Sequence, residues 1–207
     1  MSIGIFGNKI GMTQVFDKDG LALPVTAIRV GPCFITQLKT EKIHGYNGIQ
    51  IGYMRGQNAK LKKAQLGHLT KNGLPPLLHL REYKVSELNN YSLGEVIDIN
   101  HFKVGEFVNV TGKSIGKGFS GNQKRHKFKR GPMSHGSKNH RAPGSIGPGT
   151  TPGRVFPGKL MAGQLGAKKI TISKLEILGI DEKQNLLILK GSVPGKPGNL
   201  LNIVHST

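Results

Sequence analysis

Apolar positions in the first fifty residues recur in short runs that glycine and proline separate. The runs Leu21 to Val30, Phe34 to Leu38 and Gly48 to Tyr53 predict three strands. Gly31 and Pro32 stand between the first two runs and predict a turn. The N-terminal part of the chain is therefore predicted to be β-structure.

The pattern changes between residues 54 and 91, where it predicts a small insertion that contains helix. Asn58 is placed to cap a helix over Ala59 to Leu69, and Asn72-Gly73 and Pro75-Pro76 follow that helix as breakers. A second short helix is predicted to start at Ser86. The lysines of the first helix are predicted to face outward: Lys60, Lys62 and Lys63.

Strand patterns return after the insertion, and most of them lie near the C-terminus. The predicted strands are Val96 to Ile99, Phe107 to Val110, Ile170 to Ile177, Leu186 to Leu189 and Leu200 to Val204. The polar residues Asp181 to Asn185 predict a hairpin loop between two of them. Short antiparallel strands with frequent Gly and Pro turns favour a closed β-barrel over a parallel sheet.

Between the strands that end near Val110 and begin near Ile170, the chain is strongly basic. From residue 107 to residue 175 there is no acidic side chain, but there are 14 Lys and Arg, 13 glycines and 5 prolines. The whole chain carries +19, so the other 138 residues contribute only +5. Such a segment cannot bury enough apolar surface to fold alone, and a phosphate backbone is the obvious compensating partner.

The basic segment is predicted to be a long excursion from the barrel whose two ends lie close together. A loop of this length is uncommon in a compact domain and is reasonable where a partner orders it. The pairs Pro143-Gly144, Pro148-Gly149, Pro152-Gly153 and Pro157-Gly158 stiffen and bend its path. Glycine also lets backbone amides approach phosphates, and folded RNA offers narrow channels that suit such a segment better than DNA does.

Other function classes find little support in the chain. No run is long enough to span a membrane, the Gly- and Pro-rich basic segment cannot form a membrane-binding amphipathic helix, and no signal or transit pattern opens the sequence. The lone Cys33 suits a reducing compartment. No nucleophile has an evident base and acid partner, so we expect neither an enzyme nor a cofactor.

Three motifs in the basic segment resemble known sites and fail on context. Gly116 to Gly121 matches G-x-G-x-x-G, but no apolar helix and no acid follow it, so a flexible basic turn is preferred. Gly112-Lys113-Ser114 resembles the end of a Walker A loop whose first glycine is here Phe107. His126, His135 and His140 match no zinc spacing, and no metal is expected.

Long motifs along nearly the whole chain resemble the universal large-subunit ribosomal protein three family in its bacterial and plastid form. They are Met1 to Asp17, Gly131 to Gly147, Thr151 to Arg154, Met161 to Gln164 and Gly191 to Gly198. The resemblance implies a structural, rRNA-binding constituent of the large ribosomal subunit that acts early in assembly. It also implies that large-subunit ribosomal proteins fourteen and nineteen are neighbours. No membrane partner is expected.

The resemblance further implies a translation-protein-type β-barrel with a small α-containing insertion and a long irregular extension. In this numbering the barrel is 1–53, 92–112 and 166–207, and the insertion is 54–91. Residues 113–165, here named the basic arm, would run toward the peptidyl transferase centre, with the deepest part near His140 to Arg154. Thr150 stands where several bacterial members carry an N-methylated glutamine, so that methylation is not expected. Pro148-Gly149-Thr150 is similar to the cyanobacterial and plastid branch. The expected location is a ribosome in the plastid stroma, which is preferred, or in the bacterial cytoplasm.

The candidate RNA contacts are the cationic and histidine side chains of the basic arm and its root. They are Lys113, Lys117, Lys124, Arg125, Lys127, Lys129, Arg130, Lys138, His140, Arg141, Arg154, Lys159, Lys168 and Lys169. The same charge would also serve a DNA-compacting architectural protein, and short basic runs such as Lys124 to Arg130 also occur as solvated faces or localisation signals. An enzyme acting on RNA would need an acid or metal cluster that the sequence does not show.

The composition of the basic arm predicts that it is mobile in the free protein. We expect trypsin to cleave within residues 113–165 before it cleaves elsewhere, and large-subunit rRNA to protect that stretch. The measurement is a time course of limited proteolysis with fragment mass determination. Resistance of the arm without RNA would contradict the prediction.

Overall fold

The chain is mainly β in a computed structural model that describes residues 3–57 and 60–206. The strands of this described part are β1 (Gly4–Phe16), β2 (Ala22–Val30), β3 (Cys33–Lys39), β4 (Gly48–Arg55), β5 (Leu77–Lys84), β6 (Val96–Ile97), β7 (Phe107–Lys113), β8 (Phe119–Ser120), β9 (Gly163–Gln164), β10 (Lys169–Asp181), β11 (Leu186–Lys190) and β12 (Leu200–His205). Its α-helices are α1 (Glu41–His44), α2 (Lys63–Lys71) and α3 (Asn122–His126), and a 3-10 helix spans Ile99–His101. None of these helices is long and apolar enough to cross a membrane.

Six strands pair into a ring in the order β1-β12-β7-β10-β11-β2, and β2 pairs back with β1. All of the pairings in this ring are antiparallel. Side chains alternate between the two faces of a strand, and every second residue therefore enters the core. The fully buried residues show this period of two on three strands of the ring: Val108 and Val110 on β7, Leu187 and Leu189 on β11, and Leu201 and Ile203 on β12.

A second antiparallel sheet has the order β5-β4-β3-β6 and shares its core with the ring. The centroids of the aromatic side chains of Phe6 on β1 and Tyr53 on β4 lie 6.1 Å apart. The Tyr83 hydroxyl of β5 donates a hydrogen bond to the Asn202 side chain of β12. Cys33 is also part of this core, where burial raises the pKa of its thiol to about 12. The cysteine therefore stays protonated and sealed from solvent.

The predicted strands are confirmed, with boundaries that move by a few residues. Asp181 pairs with Leu186, which confirms the hairpin between β10 and β11. The sequence prediction did not single out β1 or β5. The apolar run over 96–99 also ends early, because the chain turns into the 3-10 helix at Ile99.

The helix predictions have a mixed outcome. A helix is present in the insertion, but it begins at Lys63 and extends to Lys71. Asn58 and Ala59, the predicted cap and first residue, lie outside the described residues. The helix predicted at Ser86 is wrong: this stretch forms turns, in which the Tyr91 amide donates to the Leu88 carbonyl at 3.1 Å. Its Leu-Asn-Asn-Tyr sequence favours a turn over helix continuation.

The chain divides into two compact units, residues 1–113 with 169–207 and residues 114–168. The first unit contains the ring and the second sheet, and the second unit is an excursion from it. Lys113 at the end of β7 pairs with Lys169 at the start of β10. The two ends of the excursion are therefore adjacent, as the sequence predicted.

The ring depends on buried aliphatic side chains, and truncation of one of them should destabilise the fold. Leu201 is fully buried on β12, so we expect Leu201→Ala to lower the free energy of unfolding by about 2–5 kcal/mol through lost burial and a cavity. Leu21→Ala is the matched control, because Leu21 is 63% exposed. The measurement is urea denaturation. Equal effects of the two substitutions would show that the ring does not carry the stability.

Candidate nucleic-acid interface

The second unit begins as two antiparallel limbs joined by backbone hydrogen bonds. The Ser114 amide donates to the Lys168 carbonyl at 2.9 Å, the Lys117 amide to the Leu165 carbonyl at 2.9 Å, and the Leu165 amide to the Gly118 carbonyl at 2.9 Å. The short strands β8 and β9 continue the pairing. This ladder satisfies backbone polar groups that are not buried in a core and holds the two limbs together.

A glycine is required where the limbs approach most closely. Gly166 has φ of +71°, and a Cβ at this position would overlap the Ile115 carbonyl oxygen of the opposite limb. A side chain would therefore meet both a backbone clash and an unfavourable left-handed conformation. The glycine content of the basic segment thus has a structural use here.

A short helix and one arginine tie the two limbs together beyond the ladder. Helix α3 is followed by Lys127, whose φ of 60° is left-handed and turns the chain. From within α3, Arg125 donates through Nη1 to the Met161 carbonyl at 2.7 Å, and a ring nitrogen of His126 lies 3.0 Å from the same oxygen. The Gln123 side chain donates to the Arg141 carbonyl at 2.8 Å. These contacts hold α3 between the outgoing and returning chain.

A compact loop follows, closed by hydrogen bonds between its ends. The Gly131 amide donates to the His140 carbonyl at 3.2 Å, and Nδ1 of His140 lies 3.0 Å from the Pro132 carbonyl oxygen. A Cβ on Gly131 would overlap the Asn139 carbonyl oxygen, so the close approach needs glycine. His140, predicted to contact RNA, thus also has a role in closing this loop.

Beyond this loop the chain makes no core of its own. Residues 138–162 are all exposed. They include apolar side chains such as Phe156, which is 55% exposed, and Leu160, which is 49% exposed. An exposed stretch that combines cations with apolar groups has the chemistry of a surface that a partner covers.

The structure exposes nearly all of the candidate RNA contacts. Thirteen of the fourteen are exposed, and Arg125 is half-buried because it bonds within the unit. The ion pairs found among the described residues are Lys39–Glu82, Lys190–Glu176 and His205–Glu106, and none of them involves a candidate. These cations therefore have no acidic partner within the part of the chain that the structure describes.

The rejected motifs have other structures. The residues Gly116 to Gly121 form part of the limb ladder, and the helix that follows has five residues. Gly112 and Lys113 belong to strand β7 and pair with β10. Across residues 3–57 and 60–206, no group of three or more His, Cys, Asp and Glu is arranged to hold a metal ion.

Two buried groups in the second unit were not anticipated from the sequence. The Ser120 hydroxyl and the Asn122 side-chain oxygen are buried next to α3 and have no hydrogen-bond partner in the described structure. The role of Arg125 was also missed, because Arg125 and the neighbouring Lys124 look equivalent in a basic run. Only the spatial approach of Met161 distinguishes them.

A family model described as Ribosomal protein L3 matches residues 87–185, the stretch that includes the basic arm with β7 and β10. The protein named Large ribosomal subunit protein uL3c of the diatom Phaeodactylum tricornutum is 57% identical over 206 residues, 100% of both chains. The chain belongs to the ribosomal protein L3 family. The resemblance to this family that the sequence motifs indicate is thereby confirmed.

Cyanobacterial family members are equally similar. The protein named Large ribosomal subunit protein uL3 of a Synechococcus species is 58% identical over 207 residues, 100% of this chain and 97% of that one. The protein of the same name from Acaryochloris marina is 56% identical over 207 residues, 100% of this chain and 98% of that one. Family similarity thus extends along the ring, the insertion and the basic arm alike.

The link from Arg125 to Met161 predicts a local effect of its removal. We expect Arg125→Met to speed hydrogen exchange at the Leu165 and Lys117 amides about fivefold, because a hydrogen bond of this kind contributes about 1 kcal/mol. Lys124→Met is the matched control, since the Lys124 side chain is exposed and makes no hydrogen bond or ion pair in the described structure. The measurement is amide exchange by NMR. Equal exchange in both variants would mean that Arg125 does not hold the limbs.

Proposed function

We propose that residues 113–165 are an rRNA-penetrating arm and that the ring serves as its anchor in the large ribosomal subunit. Membership of the ribosomal protein L3 family makes this chain a structural constituent of that subunit rather than an enzyme. The arm supplies the binding. Its influence on peptide-bond formation is indirect, through the shape of the RNA around it.

The observation that carries the proposal is the unbroken exposure of residues 138–162, together with cations that have no acidic partner among the described residues. The family's setting supplies the partner, because rRNA presents a dense array of phosphates. Arg can bind a phosphate with two donors at once, and each neutralised phosphate releases counterions. The exposed apolar side chains, such as Phe156, pack against ribose and base surfaces of the RNA.

The same proposal covers the barrel domain, the depth that the arm reaches and the neighbouring proteins. The closed ring of six strands fits a translation-protein-type barrel. The segments assigned to the barrel domain are 1–53, 92–112 and 166–207, with 54–91 as the insertion. Within those segments, β3, β4 and β6 pair in the second sheet rather than in the ring. The stretch from His140 to Arg154 reaches deepest, toward the peptidyl transferase centre. Large-subunit ribosomal proteins fourteen and nineteen are the neighbouring proteins. The relatives from a plastid-bearing diatom and from cyanobacteria support a ribosome of plastid or bacterial type.

A DNA-compacting protein is the alternative that charge alone would allow. Family membership and full-length similarity to proteins named for the large ribosomal subunit favour RNA. Ultraviolet crosslinking in cells separates the two. Crosslinks confined to large-subunit rRNA, with arm peptides attached near the peptidyl transferase region, support the proposal, whereas crosslinks spread over genomic DNA or many RNAs contradict it.

The arm's charge predicts how binding depends on salt. We expect the affinity for a large-subunit rRNA transcript to fall linearly on a log–log plot, and the variant K124Q/K127Q/K129Q/R130Q to reduce that slope by about 3 to 4, near 0.9 for each lost phosphate contact. The control K18Q/K42Q/K183Q/K196Q removes four exposed lysines that lie outside the arm. The measurement is a filter-binding titration at several salt concentrations. An affinity of the unmodified protein that does not change with salt concentration would contradict the proposal.

A further inference from the structure

The charge outside the basic segment is concentrated in one place. Residues 54–91 hold seven Lys and Arg against two Glu, a net +5. The 138 residues outside 107–175 also carry a net +5, so the remaining 100 residues are neutral. The insertion therefore accounts for all of the net positive charge outside the basic segment.

Helix α2 presents this charge on a fixed support. Leu69 is fully buried, a ring nitrogen of His68 lies 2.8 Å from the Gln50 side-chain oxygen of β4, and the Asn72 side chain donates to the Thr36 carbonyl of β3 at 2.8 Å. These three contacts attach one side of the helix to the second sheet. The opposite side faces solvent in a defined orientation.

The solvent side of α2 combines lysines with small residues. Lys63, Gly67 and Lys71 follow each other at intervals of four, so they share one face over about 12 Å at 1.5 Å per residue. A Cβ built on Gly67 meets nothing within 4 Å, which leaves open space between the two lysines. Lys60 and Lys62 precede the helix. These four exposed lysines are named the lysine face: Lys60, Lys62, Lys63 and Lys71.

The lysine face has the chemistry of a phosphate-binding surface. None of its lysines has an acidic partner in residues 3–57 and 60–206. Ala64 and Gly67 let a nucleic-acid backbone approach the helix closely, and the exposed side carries no large apolar residue for a membrane or an apolar partner. Lysine binds phosphate as a point charge on a flexible stem, which suits backbone contacts without sequence reading.

We propose that the lysine face is a second rRNA-binding surface, formed by residues distant in sequence from the basic arm, which docks on phosphates of a helical RNA segment. This inference rests on the proposed ribosomal function. It adds a site in the insertion that acts through a folded helix, whereas the arm acts through an extended chain.

The test compares two variants of equal charge in the full chain. K60Q/K62Q/K63Q/K71Q and K18Q/K42Q/K183Q/K196Q each lower the net charge from +19 to +15. With a large-subunit rRNA transcript, we expect the first variant to reduce the salt slope by about 3 to 4 and the second by less than about 1. Hydroxyl-radical footprinting should show one discrete set of nucleotides losing protection only in the first variant. Equal slopes and unchanged footprints in the two variants would overturn the proposal.

A single substitution separates binding from folding. Gly67→Glu places a carboxylate in the open space between Lys63 and Lys71, and glutamate is a better helix former than glycine. We expect an unchanged or higher melting temperature for both Gly67→Glu and Gly67→Gln. We expect the RNA affinity of Gly67→Glu to be at least threefold lower than that of Gly67→Gln, which fills the same space without the negative charge. Full RNA affinity in Gly67→Glu would contradict the proposal. The proposal would also be contradicted if subunits assembled with the Gly67→Glu variant lost an acidic protein while the rRNA footprint was retained.

The proposed function and the role of the lysine face can fail independently of each other. If the unmodified protein shows no selective binding to large-subunit rRNA, the proposed function itself is wrong. If the unmodified protein binds, the arm variant loses affinity and the lysine-face variant matches its control, only this inference is wrong.

Discussion

The antiparallel pairing of β7 with β10 is the constraint on which the rest of the molecule depends. It joins the ring across a long interruption in the chain and brings Lys113 next to Lys169. Closing such a loop costs conformational entropy that grows only slowly with length, by about 0.6 kcal/mol for each doubling. The ring can therefore carry a large excursion, provided that β7 and β10 are held by their other neighbours. β12 and β11 supply that support on either side.

The two units answer opposite physical demands. The ring and second sheet bury aliphatic side chains at alternating positions, and the sequence outside the basic regions is electrically neutral. The excursion instead gathers cations and excludes acids, which opposes any compact state of its own. Its internal order comes from backbone hydrogen bonds, glycines at close approaches and the Arg125 bond. An anionic partner is the remaining stabilising element.

The sequence predicts the parts of this molecule in which one strong pattern dominates. Apolar runs bounded by Gly and Pro locate most strands, and the absence of acids locates the arm. β5 escapes notice because Leu77–Lys84 mixes apolar and charged residues, and it becomes a strand through pairing with β4. The helix expected at Ser86 fails because local turn formation at Leu88 to Tyr91 wins over a weak helical start. Arg125 could not be separated from its neighbours, since its distinction is a contact with a residue 36 positions away.

The four proline-glycine pairs in the exposed stretch affect how the arm becomes ordered. Each proline fixes one φ angle before any partner arrives, and the free chain therefore samples fewer conformations. A partner that immobilises the stretch therefore meets a smaller loss of conformational entropy, which leaves more of the attraction as net affinity. The glycine after each proline keeps the bends that a fully stiff rod would forbid. A stretch built in this way is partly preorganised for a partner although it has no core.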